Sequence, residues 1–246
     1  MDSRFRALEQ ADEERVQSIL DRCMIADEDT FQDKFNMKIT GRKLRCLKPS
    51  TWLNDEVINF YMKMLQERDD SLCEQNENRR HSHFFNSFFA ERLLVTDRCY
   101  TYENVKRWSK KLDIFEMDKI FFPINIGNMH WTLAVVYPQK KRIEYFDSMS
   151  GKGAFYTDAL LCWIQDEAVT RGLNIDMEEW TTYSRSHEIP QQDNGFDCGV
   201  FTIIAADFLL DNLPLLYSQG NMESFRLKIV LRILNGCLDY PFTSST

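Results

Sequence analysis

"HWTLAVVYPQKKRIEYFD", residues 130–147, decides the fold. It contains two β-rich runs, 131–138 and 142–147, joined by so short a polar turn that they must pair antiparallel as a hairpin. In the first run Leu133, Val135 and Tyr137 alternate with Thr132, Ala134 and Val136, so neither face is strongly polar. A strand that is apolar on both faces belongs at the centre of a sheet with helices over each side. "KIFFPIN" (119–125) reads as a neighbouring strand, and 178–190 contains another.

The open end of this hairpin carries chemistry. The midpoint of positions 130 and 147 falls inside the turn, which sets His130 and Asp147 nearly opposite each other. Opposed residues have Cβ atoms roughly 4.5–5.5 Å apart, a separation that suits a carboxylate accepting a hydrogen bond from an imidazole. The chain has only four histidines. His81, His83 and His187 lie in polar stretches, whereas His130 stands at the mouth of the most buried strand.

A thiol nucleophile needs such a pair, an imidazole to take its proton and a group to orient the ring. "PQQDNGFDCGVF" (190–201) supplies the thiol. Cys198 precedes Gly199 and the apolar run 199–212, which reads as a long buried helix. A cysteine at a helix N-terminus meets the positive end of the dipole, which favours the thiolate. Its backbone N–H can face a developing oxyanion, and Gln191, Gln192 or Asn194 can give a second donor. Taken alone, a cysteine ahead of an apolar helix is more often a packing residue.

Around this centre, residues 1–30 suggest a peripheral amphipathic helix built on Leu8, Val16, Ile19, Leu20 and Met24. A short strand is expected in 37–47. A helix capped at Asn54 follows, with Val57, Ile58, Tyr61, Met64 and Leu65 as its buried stripe. Residues 68–83 read as a loop, 84–95 and 104–115 as helices, 154–172 as a helix ending at Gly172, and 222–238 as a last helix with basic residues outward. The fold class expected is α+β, a small central sheet packed by helices.

The totals narrow the function. A formal charge of −8 over 246 residues disfavours non-specific nucleic-acid binding and is compatible with a basic protein partner. No apolar stretch is long enough for a membrane span, and the N-terminus has no secretory h-region. The seven cysteines are scattered, with no C-x-x-C pair, which fits reduced thiols in a cytosolic or nuclear protein without a metal site.

The order His, Asp, Cys in "HWTLAVV", "YFDSMSG" and "IPQQDNGFDCGVF" resembles the ubiquitin-like-protein-specific proteases, also called sentrin- or SUMO-specific proteases. "WLNDEVINFYMKML", "FFNSFF", "VKRWSKKLDIF" and "SFRLKIVLRIL" extend the resemblance over residues 36–238. It implies a papain-like cysteine protease domain over 36–246, with a helical arm at 1–35. It implies a mixed sheet, and a nucleophile at the N-terminus of the buried helix. By the same resemblance Cys198 is the nucleophile, His130 the general base and acid, Asp147 the orienter and Gln192 the oxyanion donor. Trp52 and Trp131 would line a narrow tunnel for a Gly-Gly tail, and Asp55 would contact a basic residue of the bound modifier. Arg107, in "VKRW", is a candidate substrate contact, with plain solvent exposure as the alternative.

The implied activity is hydrolysis after the C-terminal Gly-Gly of SUMO, in precursors or conjugates. No cofactor or metal is expected, a monomer is expected, and the resemblance implies a nuclear or nucleocytoplasmic location. The rivals are a protease for another modifier such as NEDD8, an acyltransferase with the same triad, and an inactive SUMO-binding adaptor.

Overall fold

The computed structural model describes residues 3–95 and 99–238. A short 3-10 turn leads into α1 (Gln10–Arg22), which buries Val16 and Leu20. Met24 does not join that stripe, because the helix stops at Arg22, and it is exposed. β1 (Thr30–Lys34) and β2 (Met37–Thr40) form a small antiparallel hairpin. The strand expected in 37–47 therefore ends at Thr40, and the chain coils into α2 (Gly41–Leu44) and a 3-10 turn. Gly41 is required there: a Cβ would lie 2.1 Å from the Ala26 carbonyl oxygen.

α3 (Asp55–Gln75) starts as its sequence dictates. The Asn54 side chain accepts from the Val57 N–H at 2.9 Å, and the apolar stripe from Val57 to Leu65 is buried. It then runs on into the stretch read as a loop. The polar residues there are used internally: buried Asp69 accepts from Arg79 at 2.9 Å and from the Ser82 N–H at 2.6 Å. β3 (His83–Phe84), α4 (Phe88–Leu93), β4 (Leu94–Val95) and β5 (Cys99–Tyr100) follow, so the helix expected over 84–95 is confined to its centre.

Residues 104–115 do not form a helix. They make successive three-residue turns, with N–H groups of Val105, Trp108 and Leu112 donating to the carbonyls of Tyr102, Val105 and Ser109 at 2.8–2.9 Å. Such turns repeat the apolar side chains every three to four residues, the same spacing that signals a helix. The segment is anchored to the next helix instead, since buried Ser109 bonds Glu167 through its hydroxyl and Arg171 through its carbonyl.

β6 (Ile120–Ile126), β7 (His130–Tyr137) and β8 (Arg142–Phe146) form an antiparallel meander. α5 (Ala154–Thr170) leads to β9 (Thr181–Ser184), which pairs parallel with β8, and β3 pairs parallel with β6. The mixed sheet has the order β3-β6-β7-β8-β9, so β7 is its central strand. α6 (Cys198–Leu210) and α7 (Met222–Asn235) are the last helices among the described residues.

The two faces of β7 serve two cores. Leu133, Val135 and Tyr137 join the core of α1, α3, α6 and α7, while Ala134 and Val136 join that of α4 and α5, with Phe89, Phe122 and Trp163. α6 is buried all round, which explains its uninterrupted apolar sequence. On α7 the outward basic face expected from sequence is not what folds: Arg226 and Lys228 are buried. Lys228 donates to the Arg4 carbonyl at 2.6 Å, so the residues just before α1 lie against α7. No helix among the described residues is long and apolar enough to cross a membrane.

Candidate active site

His130 opens β7 and Asp147 follows the last residue of β8. The ladder pairs Tyr137 with Arg142 and Leu133 with Phe146. Continued by one step, it places Asp147 opposite Thr132 rather than His130, two residues off the register read from sequence. His130 and Thr132 point to the same face, so the contact survives as a diagonal one. His130 Nε2 and Asp147 Oδ1 are 2.7 Å apart.

The carboxylate is held on several sides. Its Oδ1 also accepts from the Met149 N–H at 2.7 Å, and its Oδ2 lies 3.5 Å from the Tyr145 hydroxyl. Gly151 closes the turn so tightly that a Cβ would sit 2.2 Å from Asp147 Oδ2. Burial opposes the charge on Asp147, but bonds from His130 and the N–H groups of Met149 and Gly151 outweigh it and hold the pKa below the usual carboxylate value. His130 shows the counterpart. Burial disfavours its cation, yet the Asp147 bond and the neighbouring Cys198 raise its pKa to about 9.

With Nε2 committed to Asp147, the other ring nitrogen is free for chemistry. Nδ1 is buried and has no hydrogen bond within normal geometry. Cys198 stands at the first position of α6 and is buried, close enough to influence the ring. Catalytic hydrogen bonds commonly tighten only once substrate is bound. Gly199 lets the start of α6 pack against Leu53, since a Cβ would be 2.8 Å from that of Leu53.

The amides before Cys198 separate by contact. Gln191 donates from Nε2 to the Ser186 carbonyl at 2.5 Å and accepts from the Ser150 hydroxyl at 2.6 Å, so it staples two loops together. Asn194 is spent on the entry to α6, where its Oδ1 accepts from the N–H groups of Phe196 and Asp197 at 3.1 Å each. Gln192 is half-buried beside Ser148, whose hydroxyl donates to Gln192 Oε1 at 2.7 Å. Its Nε2 donates to the Asn194 carbonyl at 2.6 Å, which leaves one N–H of the amide uncommitted.

Met129 and Trp131, which flank His130, border a cleft of two adjoining cavities, of about 230 and 350 Å³, that His130, Asp147 and Cys198 do not themselves line. Trp131 and Asp55 border both, and Trp52 borders the smaller. Trp131 is buried, its Nε1 donating to the Leu53 carbonyl at 2.8 Å. Trp52 is 47% exposed and donates to the Gly195 carbonyl at 2.6 Å, which sets the indole against the loop before Cys198. Asp55 is half-buried in the first turn of α3, where burial and Glu56 raise its pKa. Arg107 is not brought here. It is exposed on the rim of a separate cavity of about 480 Å³, with Lys106, Lys110, Tyr102 and Arg171.

The supporting residues were not foreseen. Arg226 binds Asp197, directly before Cys198, at 2.7 and 2.9 Å, and donates to the carbonyls of Cys46, Lys48, Thr51 and Phe196. A basic residue inside an apolar helix pattern was the available signal. Among the described residues one group, Asp69, Cys73 and His81, gathers potential metal-ligand atoms within 4.8 Å of one another. The Arg79 guanidinium on Asp69 at 2.9 Å opposes a cation there.

The model of the Ulp1 protease family, C-terminal catalytic domain, matches residues 51–238. Sentrin-specific protease 2 of Pongo abelii is 40% identical over 210 residues, which cover 85% of this chain and 34% of that protein. Ubiquitin-like-specific protease ESD4 of Arabidopsis thaliana is 40% identical over 206 residues, covering 81% of this chain and 40% of that protein. The chain thus spans little more than a third of the length of these relatives. Among solved structures, the yeast Ulp1 protease domain in complex with Smt3, the yeast ortholog of SUMO, superposes with a TM-score of 0.76 at 29% identity, covering 94% of this chain and 97% of that one. The catalytic domain of the Chaetomium thermophilum Ulp1-like SUMO protease shares the fold with a TM-score of 0.81 at 24% identity, covering 97% of this chain and 94% of that one.

Proposed function

The chain belongs to the Ulp1 protease family, and from that premise we propose that it is a SUMO-directed cysteine protease acting after the C-terminal Gly-Gly of the modifier. The observation that carries the reading is the 2.7 Å contact between His130 Nε2 and Asp147 Oδ1, which leaves Nδ1 for the Cys198 thiol. The relatives' names and the Smt3 complex support SUMO as the modifier.

The reaction runs through a thioester. Cys198 Sγ gives its proton to His130 Nδ1 and attacks the carbonyl of the terminal glycine. Asp147 accepts from Nε2–H throughout and stabilises the imidazolium. The tetrahedral oxyanion is met by the Cys198 N–H and the uncommitted N–H of Gln192. The imidazolium protonates the leaving amine, a lysine ε-amine in a conjugate or the next residue in a precursor. His130 then takes a proton from water, which attacks the thioester and releases the free Gly-Gly carboxylate. No step requires a metal or organic cofactor.

Trp52 and Trp131 admit an extended tail without side chains between their rings, and Asp55 meets a basic residue on the modifier's surface. Residues 36–246 form the catalytic domain of a monomer, with 1–35 as an arm whose α1 and β1 pack into it, and the protein works in the nucleus or shuttles to it. The test is Cys198→Ala: cleavage of a SUMO precursor is abolished while SUMO binding persists. Undiminished cleavage by that variant contradicts the reading.

A further inference from the structure

The turn 147–151 carries more than the triad carboxylate. Ser148 is only 4% exposed and meets Gln192 twice. Its carbonyl accepts from the Gln192 backbone N–H at 2.9 Å, and its hydroxyl donates to Gln192 Oε1 at 2.7 Å. A hydroxyl can donate or accept, so Ser148 alone would tolerate either orientation of the amide. The Asn194 carbonyl accepts only, and it lies 2.6 Å from Gln192 Nε2. Together they leave one orientation, with Oε1 on Ser148 and the amide nitrogen on the Asn194 side.

That arrangement matters because an amide end reversed by 180° presents oxygen to an oxyanion and repels it. We infer that Ser148 is a positioning residue for the oxyanion donor, anchoring the Gln192 amide where the Asn194 carbonyl sets its orientation, with the nitrogen toward the developing charge. The inference rests on the reading of Gln192 as that donor. Neighbouring Asp147 orients the imidazole from the same turn, so one short segment sets both the proton acceptor and the oxyanion site. The turn is itself clamped from the β9 side. The Ser186 hydroxyl, fully buried, donates to the Gly151 carbonyl at 2.6 Å, and Ser150 donates to Gln191 Oε1 at 2.6 Å. Preorganisation of this kind lowers the reorganisation needed when charge develops.

A double-mutant cycle on the full chain tests it, using a SUMO C-terminal amide with a fluorogenic amine as leaving group. Gln192→Ala lowers kcat by roughly 10²–10³, the usual cost of one oxyanion donor. Ser148→Ala lowers kcat about tenfold, the scale of one hydrogen bond, with KM unchanged. In the Gln192→Ala background, Ser148→Ala has no further effect, because the group it positions is gone. Alkylation of Cys198 by iodoacetamide, which forms no oxyanion, proceeds at the wild-type rate in Ser148→Ala and shows that the variant is folded with its triad intact. An equal tenfold loss in both backgrounds, or slowed alkylation, overturns the inference and transfers the effect to Asp147 or to the fold. A wild-type kcat in Gln192→Ala overturns it by removing its premise. The protease reading fails separately, only if Cys198→Ala stays active.

Discussion

Asp147 Oδ1 sits 2.7 Å from His130 Nε2, and the same ring's Nδ1 is buried without a hydrogen bond. The carboxylate therefore fixes which nitrogen is left to receive the thiol proton in the proposed mechanism. Asp147→Asn keeps the shape but offers an amide that stabilises no imidazolium. The expected result is a fall in kcat of about 10²–10⁴, with KM little changed, measured by steady-state cleavage of a fluorogenic SUMO substrate.

The raised pKa of His130 has a thermodynamic consequence. A histidine whose folded value, about 9, exceeds its unfolded value of 6.5 stabilises the fold fully below pH 6.5 and loses that contribution as pH rises through about 9. The difference in urea midpoint between wild type and His130→Gln is accordingly largest below pH 6.5 and vanishes above about pH 9. A difference that grows with pH contradicts the assignment. Asp147 has the opposite sign: its depressed pKa gives stability that is present above the unfolded value and lost as pH falls through the folded one.

Gly151 is fixed by contact rather than by its dihedral angles, since a Cβ would meet Asp147 Oδ2 at 2.2 Å. Gly151→Ala must displace the carboxylate or the turn. It lowers kcat at least tenfold and moves the His130 titration, followed by NMR of the ring protons, down from about 9 toward 6.5. An unchanged titration with unchanged kcat shows that the turn yields without disturbing the pair.

Arg226 neutralises Asp197 inside the protein and supplies donors to carbonyls of four other residues. Removing one partner of a buried pair costs about 3–5 kcal/mol, because the other charge stays behind. Arg226→Ala therefore lowers Tm by roughly ten degrees for a chain of this size. Arg226→Lys does not restore it, since an ammonium cannot reproduce the planar fork. Thermal denaturation of the three proteins decides this.

Much of this was legible in the sequence, and the limits have physical causes. The central strand was readable because Leu133–Tyr137 is apolar on both faces, and α3 because Asn54 announces its start. The His130–Asp147 contact was located by counting back from a turn, and it tolerated a two-residue register error because diagonal neighbours on one face still meet. Periodicity could not separate the turns of 104–115 from a helix, since both repeat every three to four residues. The end of α3 was missed because its polar residues bond within the protein rather than to water. Residue types alone left Gln191, Gln192 and Asn194 open, and only the resemblance selected Gln192, because the contacts that distinguish the two glutamines, Ser148 with Gln192 and Ser150 with Gln191, join segments far apart in the chain. Arg226 was misplaced outward because sequence shows a charge but not the carbonyls and carboxylate that converge on it.

Trp52 is half exposed yet tied to the loop before Cys198. Trp52→Ala removes one wall of the cleft with little cost to the core. The expectation is a rise in KM of about tenfold, a smaller change in kcat, and a stability loss below about 1 kcal/mol. A large drop in Tm assigns the indole to the core instead.

Under the proposed function, Cys198 reacts with the C-terminal glycine of SUMO. The direct measurement offers the purified protein three probes, SUMO, NEDD8 and ubiquitin, each with an electrophile in place of its C-terminal carboxylate. The expected result is a covalent adduct with SUMO alone, mapped by mass spectrometry to Cys198 and absent in Cys198→Ala. No adduct with SUMO, or labelling by NEDD8 or ubiquitin in its place, contradicts it.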